Sequence, residues 1–103
     1  MNDPIARWEG LLAAQPANDL ARFSLAKALF DAGRHAEALR HLNTALEHKP
    51  DWMVVQILVG RCHLALDQPA EARAAFERAR QLAIDQDHQG PRAEMEQLLA
   101  ELA

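Results

Sequence analysis

Residues 19–50 read DLARFSLAKALFDAGRHAEALRHLNTALEHKP, and residues 53–84 read MVVQILVGRCHLALDQPAEARAAFERARQLAI. At an offset of 34 the two stretches answer one another: Leu25 meets Val59, Ala26 meets Gly60, Lys27 meets Arg61 and Phe30 meets Leu64. Further along, Ala36-Glu37-Ala38 meets Ala70-Glu71-Ala72, Leu42 meets Phe76, and Ala45 meets Ala79. Size class and charge agree at several of these pairs, in register, over a length that holds two helices. Residues 19–52 and 53–86 therefore read as two copies of one helix-turn-helix unit.

The rest of the chain supports helix throughout. Of its 103 residues half are apolar and a quarter charged, a globular composition suited to one domain. Alanine, leucine, glutamine, glutamate and arginine dominate, all good helix formers, and no tyrosine is present. Asn2 or Asp3 can cap a first helix, with Pro4 in its first turn and Ile5, Trp8, Leu11 and Leu12 as an apolar stripe. Gln15-Pro16 ends it. Asn18 or Asp19 caps a second helix to Ala32, and Gly33 is a left-handed terminator. A third helix runs from His35 to His48, and Lys49-Pro50 closes it. Asp51 is the expected cap of a fourth helix reaching Leu66. After the turn Asp67-Gln68-Pro69 comes a fifth helix to Ile84, then a polar link, then a sixth helix opened by Pro91. The expectation is an all-α fold of about six helices in antiparallel neighbours.

The 34-residue period, the small residues Ala26, Gly60, Ala38 and Ala72, and the turn residues Gly33 and Pro50 together resemble the tetratricopeptide repeat (TPR) family. Leu25, Leu29, Leu42, Val59 and Phe76 match its large apolar positions. The physical need behind the small positions is close approach, because two helices crossing at short range leave no room for a bulky side chain. The second copy departs from the pattern at Asp67 (for the turn glycine), His63 (for a large aromatic) and Ile84 (for the closing proline). The missing proline predicts that the fifth helix runs on. The resemblance implies a right-handed superhelix, with residues 1–17 as an N-terminal half-unit, 19–52 and 53–86 as repeats, and 87–103 as a C-terminal capping helix.

It also implies a concave face lined by the first helix of each pair. Those positions are Leu20, Phe23, Lys27 and Phe30, then Val54, Ile57, Arg61 and Leu64, in each case apolar, apolar, cation, apolar. Two cations flanked by apolar surface suit a peptide or protein segment with an acidic residue or a C-terminal carboxylate. A self-associating scaffold, forming a homodimer through the same face, is the alternative. Plain packing of Phe23 and Phe30 against the first and last helices is a third reading. Co-chaperone members of the family hold chaperone tails with a lysine, asparagine and arginine clamp. Here Phe23, Lys27 and Leu58 stand at clamp positions, and Gly90 and Glu94 fall near the third-unit positions, so that ligand is not expected.

Other residues carry less. Cys62 and His63 are neighbours, but adjacent helical residues point about 100° apart, so Cys62 reads as a core residue and not as a nucleophile. His41 and His48 share a face without a ligand between them, so no metal site is expected. His35 and His88 read as surface turn residues. Glu71, Arg73, Glu77, Arg78 and Arg80 read as a solvated outer face with supporting ion pairs. Trp8 reads as core, and Trp52 as a staple of the turn before the fourth helix. A net charge of −4 argues against nucleic acid as a partner, and no segment is apolar enough for a membrane. A single cysteine and the lack of a signal-peptide pattern at the start point to the cytoplasm. No phosphate loop, zinc motif or catalytic constellation is visible, so the expected function is non-enzymatic protein binding without a cofactor.

Overall fold

A computed structural model describes residues 3–103 and contains six helices: α1 (Pro4–Ala14), α2 (Asp19–Asp31), α3 (His35–His48), α4 (Met53–Ala65), α5 (Pro69–Asp85) and α6 (Gln89–Glu101). Each helix packs on its neighbours in sequence, and α2 also touches α4. The helix starts keep the repeat: α2 and α4 begin at 19 and 53, α3 and α5 at 35 and 69, both 34 apart.

The starts and stops follow from local chemistry. Asp3 accepts from the Ile5 amide at 3.0 Å, and Asn18 accepts from the Ala21 amide at 3.0 Å, so both cap helices. The other candidate first cap, Asn2, lies outside the described residues. Three helices end in the same left-handed turn, at Gly33 (φ +81°), Asp67 (φ +58°) and Asp87 (φ +57°). In each, the next amide reaches back five residues: Arg34 to Leu29, Gln68 to His63, and His88 to Ala83, at 2.8–2.9 Å. Asp67 thus adopts the conformation of the glycine it replaces.

Three local expectations need correcting. Asp51 does not cap α4. A turn from the Trp52 amide to the Lys49 carbonyl (3.2 Å) makes Trp52 the N-cap, and no side chain closes that end. The Asp51 carbonyl instead accepts from Gln86 Nε2 at 2.9 Å. Helix α6 begins at Gln89, two residues before Pro91, because Asp87 reverses the chain early. Pro91 then sits in the first turn, where an amide has no helical partner to lose. Trp8 is only half-buried, since α1 buries no residue fully and lies on the edge of the core with the Arg7 guanidinium over the indole. The expected overrun of α5 is present: α3 ends at 48, and α5 ends three residues beyond the equivalent position, at 85.

The main core joins Leu25, Ala26 and Leu29 of α2, Ala38, Leu42 and Ala45 of α3, and Val55, Val59 and Cys62 of α4. A second cluster joins Ala72, Phe76 and Ala79 of α5 with Met95 of α6. Helices α4 and α5 approach closely at Gly60. A Cβ on Gly60 would lie 2.3 Å from the Phe76 ring, well inside contact distance. The first repeat makes the same crossing with Ala26 and Leu42, both fully buried, so a methyl lost at one position accompanies a larger side chain at the other.

A buried polar clip, unforeseen from sequence, fixes the start of α2. Arg22 is 8% exposed, pairs with Asp19 and donates to the Pro16 carbonyl at 2.6 Å. Asp19 lies 3.0 Å from His48 Nδ1, at the end of α3. Partial burial alone would raise the Asp19 pKa, but His48 and Arg22 outweigh it and hold the carboxyl below its ordinary value.

Candidate functional site

The groove between α2 and α4 encloses a cavity of about 330 Å³ lined by Phe23, Lys27, Phe30, Asp31, Val54, Ile57, Leu58 and Arg61. Six of the eight positions singled out from sequence are among these residues. Leu20 and Leu64 are not: Leu20 is 71% exposed at the start of α2, and Leu64 is exposed near the end of α4. Leu58, named from sequence only as standing at a clamp position, and Asp31, not named at all, also line the groove. Asp31 is four residues beyond Lys27, one helical turn along the same face, and that spacing could have revealed it.

The aromatic side chains are held in place. Phe23 lies against Trp52, ring centroids 5.5 Å apart and tilted by 42°, and the Lys49 ammonium sits over the same indole at 5.6 Å. Phe30 meets His35 edge-on at 4.9 Å. These partners differ from the first and last helices considered from sequence. Trp52 does pack at the turn as expected, and in doing so it braces one wall of the groove.

The two cations are not equivalent. Arg61 pairs with Glu94 of α6 across the helix junction. Lys27 pairs with no carboxylate among the described residues. Beside Trp8, Phe23 and Lys27 the groove continues toward α1 as a second cavity of about 370 Å³, also bounded by Asp31. With Lys27 and Arg61 against Asp31 and Glu94, the four charged side chains around the groove sum to zero.

Helix α6 stands 36 residues after α4, not 34, because α5 overruns. In that register Met95, fully buried, takes the place of Val59. The α6 residues equivalent to Val54, Ile57, Arg61 and Leu64 are then Gly90, Ala93, Gln97 and Ala100, all exposed. Three of the four are small, so α6 carries no apolar wall to match those of α2 and α4.

The remaining candidates resolve as structural. Cys62 is fully buried, and burial pushes its thiol up to about 11, the opposite of what a nucleophile requires. His63 is half-buried and hydrogen-bonds Gln68 Oε1 at 2.7 Å. Among the described residues no group of three histidines, cysteines or acids could hold a metal, and no helix is long and apolar enough to cross a membrane. The charged face of α5 reaches outward to α6 and not along itself: Arg80 pairs with Glu96 at 3.1 Å, and Arg73 donates to the Leu102 carbonyl.

Two helix pairs whose starts lie 34 residues apart, packed in sequence around small residues, define an α-helical repeat protein. Comparison with known proteins agrees. The family profile described as anaphase-promoting complex, cyclosome, subunit 3 matches residues 5–79. A TPR repeat-containing protein of Pseudomonas aeruginosa is 35% identical over 88 residues, covering 85% of this chain and 82% of its own. The Hsp70-Hsp90 organizing protein of Triticum aestivum is 34% identical over 82 residues, 80% of this chain, and this chain spans only 14% of its length. The chain belongs to this family of tetratricopeptide-repeat proteins. Among solved structures, a protein from Bordetella parapertussis superposes with a TM-score of 0.88 at 29% identity, over 99% of this chain and 89% of that one. PcrH of Pseudomonas aeruginosa, in complex with the chaperone binding region of PopD, gives 0.88 at 19% identity over 95% and 74%. The first TPR of Spaghetti (RPAP3), bound to the HSP90 peptide SRMEEVD, gives 0.78 at 21% over 95% and 76%.

Proposed function

We propose that this protein is a non-enzymatic interaction module that holds a peptide or protein segment in the groove between α2 and α4. The observation that carries this reading is the cavity of about 330 Å³ that Phe23, Phe30, Val54, Ile57 and Leu58 line together with Lys27. Its walls are braced by Trp52 and His35 before any ligand arrives, which lowers the ordering cost of binding. Apolar side chains of the ligand fill the cavity, and Lys27, a point charge on a flexible stem, meets a carboxylate. The structural neighbours that hold an HSP90 peptide and a region of PopD support peptide binding as a use of this fold. The reading from sequence used two cations as anchors. The Glu94 contact of Arg61 leaves Lys27 as the principal one.

A direct test is a titration with acetylated apolar peptides ending in a free carboxylate, followed by backbone amide shifts. The shifts should concentrate in residues 23–31 and 54–61, and Lys27→Glu should weaken binding about tenfold with unchanged helicity. Shifts confined to the opposite face, or full affinity in Lys27→Glu, would reject the groove.

The exposure of Leu20 (71%) and Val54 (48%) favours one rival, a homodimer closed over the same face. Native mass spectrometry across concentration decides it, since a monomer at every concentration excludes the scaffold.

A further inference from the structure

The Arg61–Glu94 pair bears on which ligands the groove accepts, and the argument rests on the peptide-binding reading above. Arg61 lines the cavity from α4 and pairs with Glu94 of α6, a helix that adds no apolar wall of its own. Both side chains keep over two-fifths of their surface exposed, 43% for Arg61 and 46% for Glu94. The pair is therefore reachable by solvent and by a ligand. A guanidinium presents a fork of donors suited to a carboxylate, and Glu94 supplies that carboxylate from within the chain. Lys27, the matching position one repeat earlier, has no such internal partner among the described residues.

We infer that Glu94 sets the specificity of the groove: by occupying Arg61 it leaves Lys27 as the cation open to a ligand, so a second carboxylate on an apolar segment brings the groove almost no gain. A second ligand carboxylate gains contact with Arg61 only by displacing Glu94. It exchanges one ion pair for another and adds little affinity. Asp31, lining the same cavity without an ion-pair partner among the described residues, offsets any small gain a further acidic group would bring.

The test begins with selection on the intact protein from a library of random decapeptides displayed with free C-termini. The best binder is then synthesised in two forms, one carrying a single carboxylate and one carrying a second acid two residues upstream. The parent protein should bind the two forms within about twofold of each other. Glu94→Gln should bind the two-carboxylate form about three- to fivefold tighter, the scale of one exposed ion pair, and leave the other form unchanged. Adding Arg61→Met to Glu94→Gln should remove the gain. Equal effects of Glu94→Gln on both forms, or none on either, would overturn the inference while leaving the groove reading in place. A library that yields no groove binder overturns the groove reading itself, and this inference with it.

Discussion

At Gly60 a single missing carbon lets two helices meet, since any Cβ there would lie within 3 Å of three Phe76 ring atoms. Alanine at this position would gain up to about 1 kcal/mol of helix propensity and lose more to overpacking. Gly60→Ala should therefore be net destabilising by about 1–2 kcal/mol in urea unfolding. Adding Phe76→Leu, which rebuilds the Ala26 and Leu42 arrangement of the first repeat, should recover much of that loss although Phe76→Leu alone is destabilising. Half of this was legible in sequence. The small residues at 26 and 60 recur at the repeat spacing, whereas the match of each to the bulk of its partner shows only once the helices are packed. The clip of Arg22, Asp19 and His48 was not legible, because a polar triad with members 29 positions apart leaves no periodic trace.

Among the elements, the turns follow the sequence most closely and the helix starts least. Gly33 was readable as a left-handed terminator, while Asp67 looked like a departure from the pattern and yet takes φ +58°. That conformation strains a residue with a Cβ, less for aspartate than for most. Asp67→Gly should raise stability by about 0.5 kcal/mol, the relief being trimmed by the greater freedom of glycine in the unfolded chain. Gly33→Ala should lower it by about 1 kcal/mol. Urea midpoints of the two variants against the parent check both signs, and a loss in Asp67→Gly would show that the side chain supports the turn. The misread starts share a cause. Asp51 and Pro91 carry strong local signals, but main-chain turns at Lys49–Trp52 and Ala83–His88 decide where α4 and α6 begin.

Over the whole molecule, stability should depend on pH through His41. Its half-buried ring has a pKa lowered first by desolvation and then by Arg22 and Arg40, with Glu37 and Glu9 opposing. Above pH 6.5 the ring is neutral in both folded and unfolded chains. Below it the unfolded chain takes up the proton first, so stability falls as pH drops through the window between 6.5 and the lower folded value. Unfolding midpoints at pH 7.5, 6 and 5 should decline in the parent and decline less in His41→Gln. Equal slopes would remove His41 from the account. Asp19, whose pKa is also lowered, contributes stability that is lost only below about pH 3.8. The architecture was thus largely readable from one duplicated stretch, and so were six of the eight groove residues. The tether on Arg61 was not, because α6 leaves the 34-residue register after α5 overruns, and the two-residue slip conceals which side chains stand beside α4. That slip has one more result. Besides Glu94 on Arg61, the α6 positions equivalent to the α4 groove residues are Gly90, Ala93, Gln97 and Ala100, so on the binding reading proposed above α6 sets no bulky apolar wall against a held segment. On that proposed reading, the held stretch can belong to the middle of a long chain as readily as to its tip.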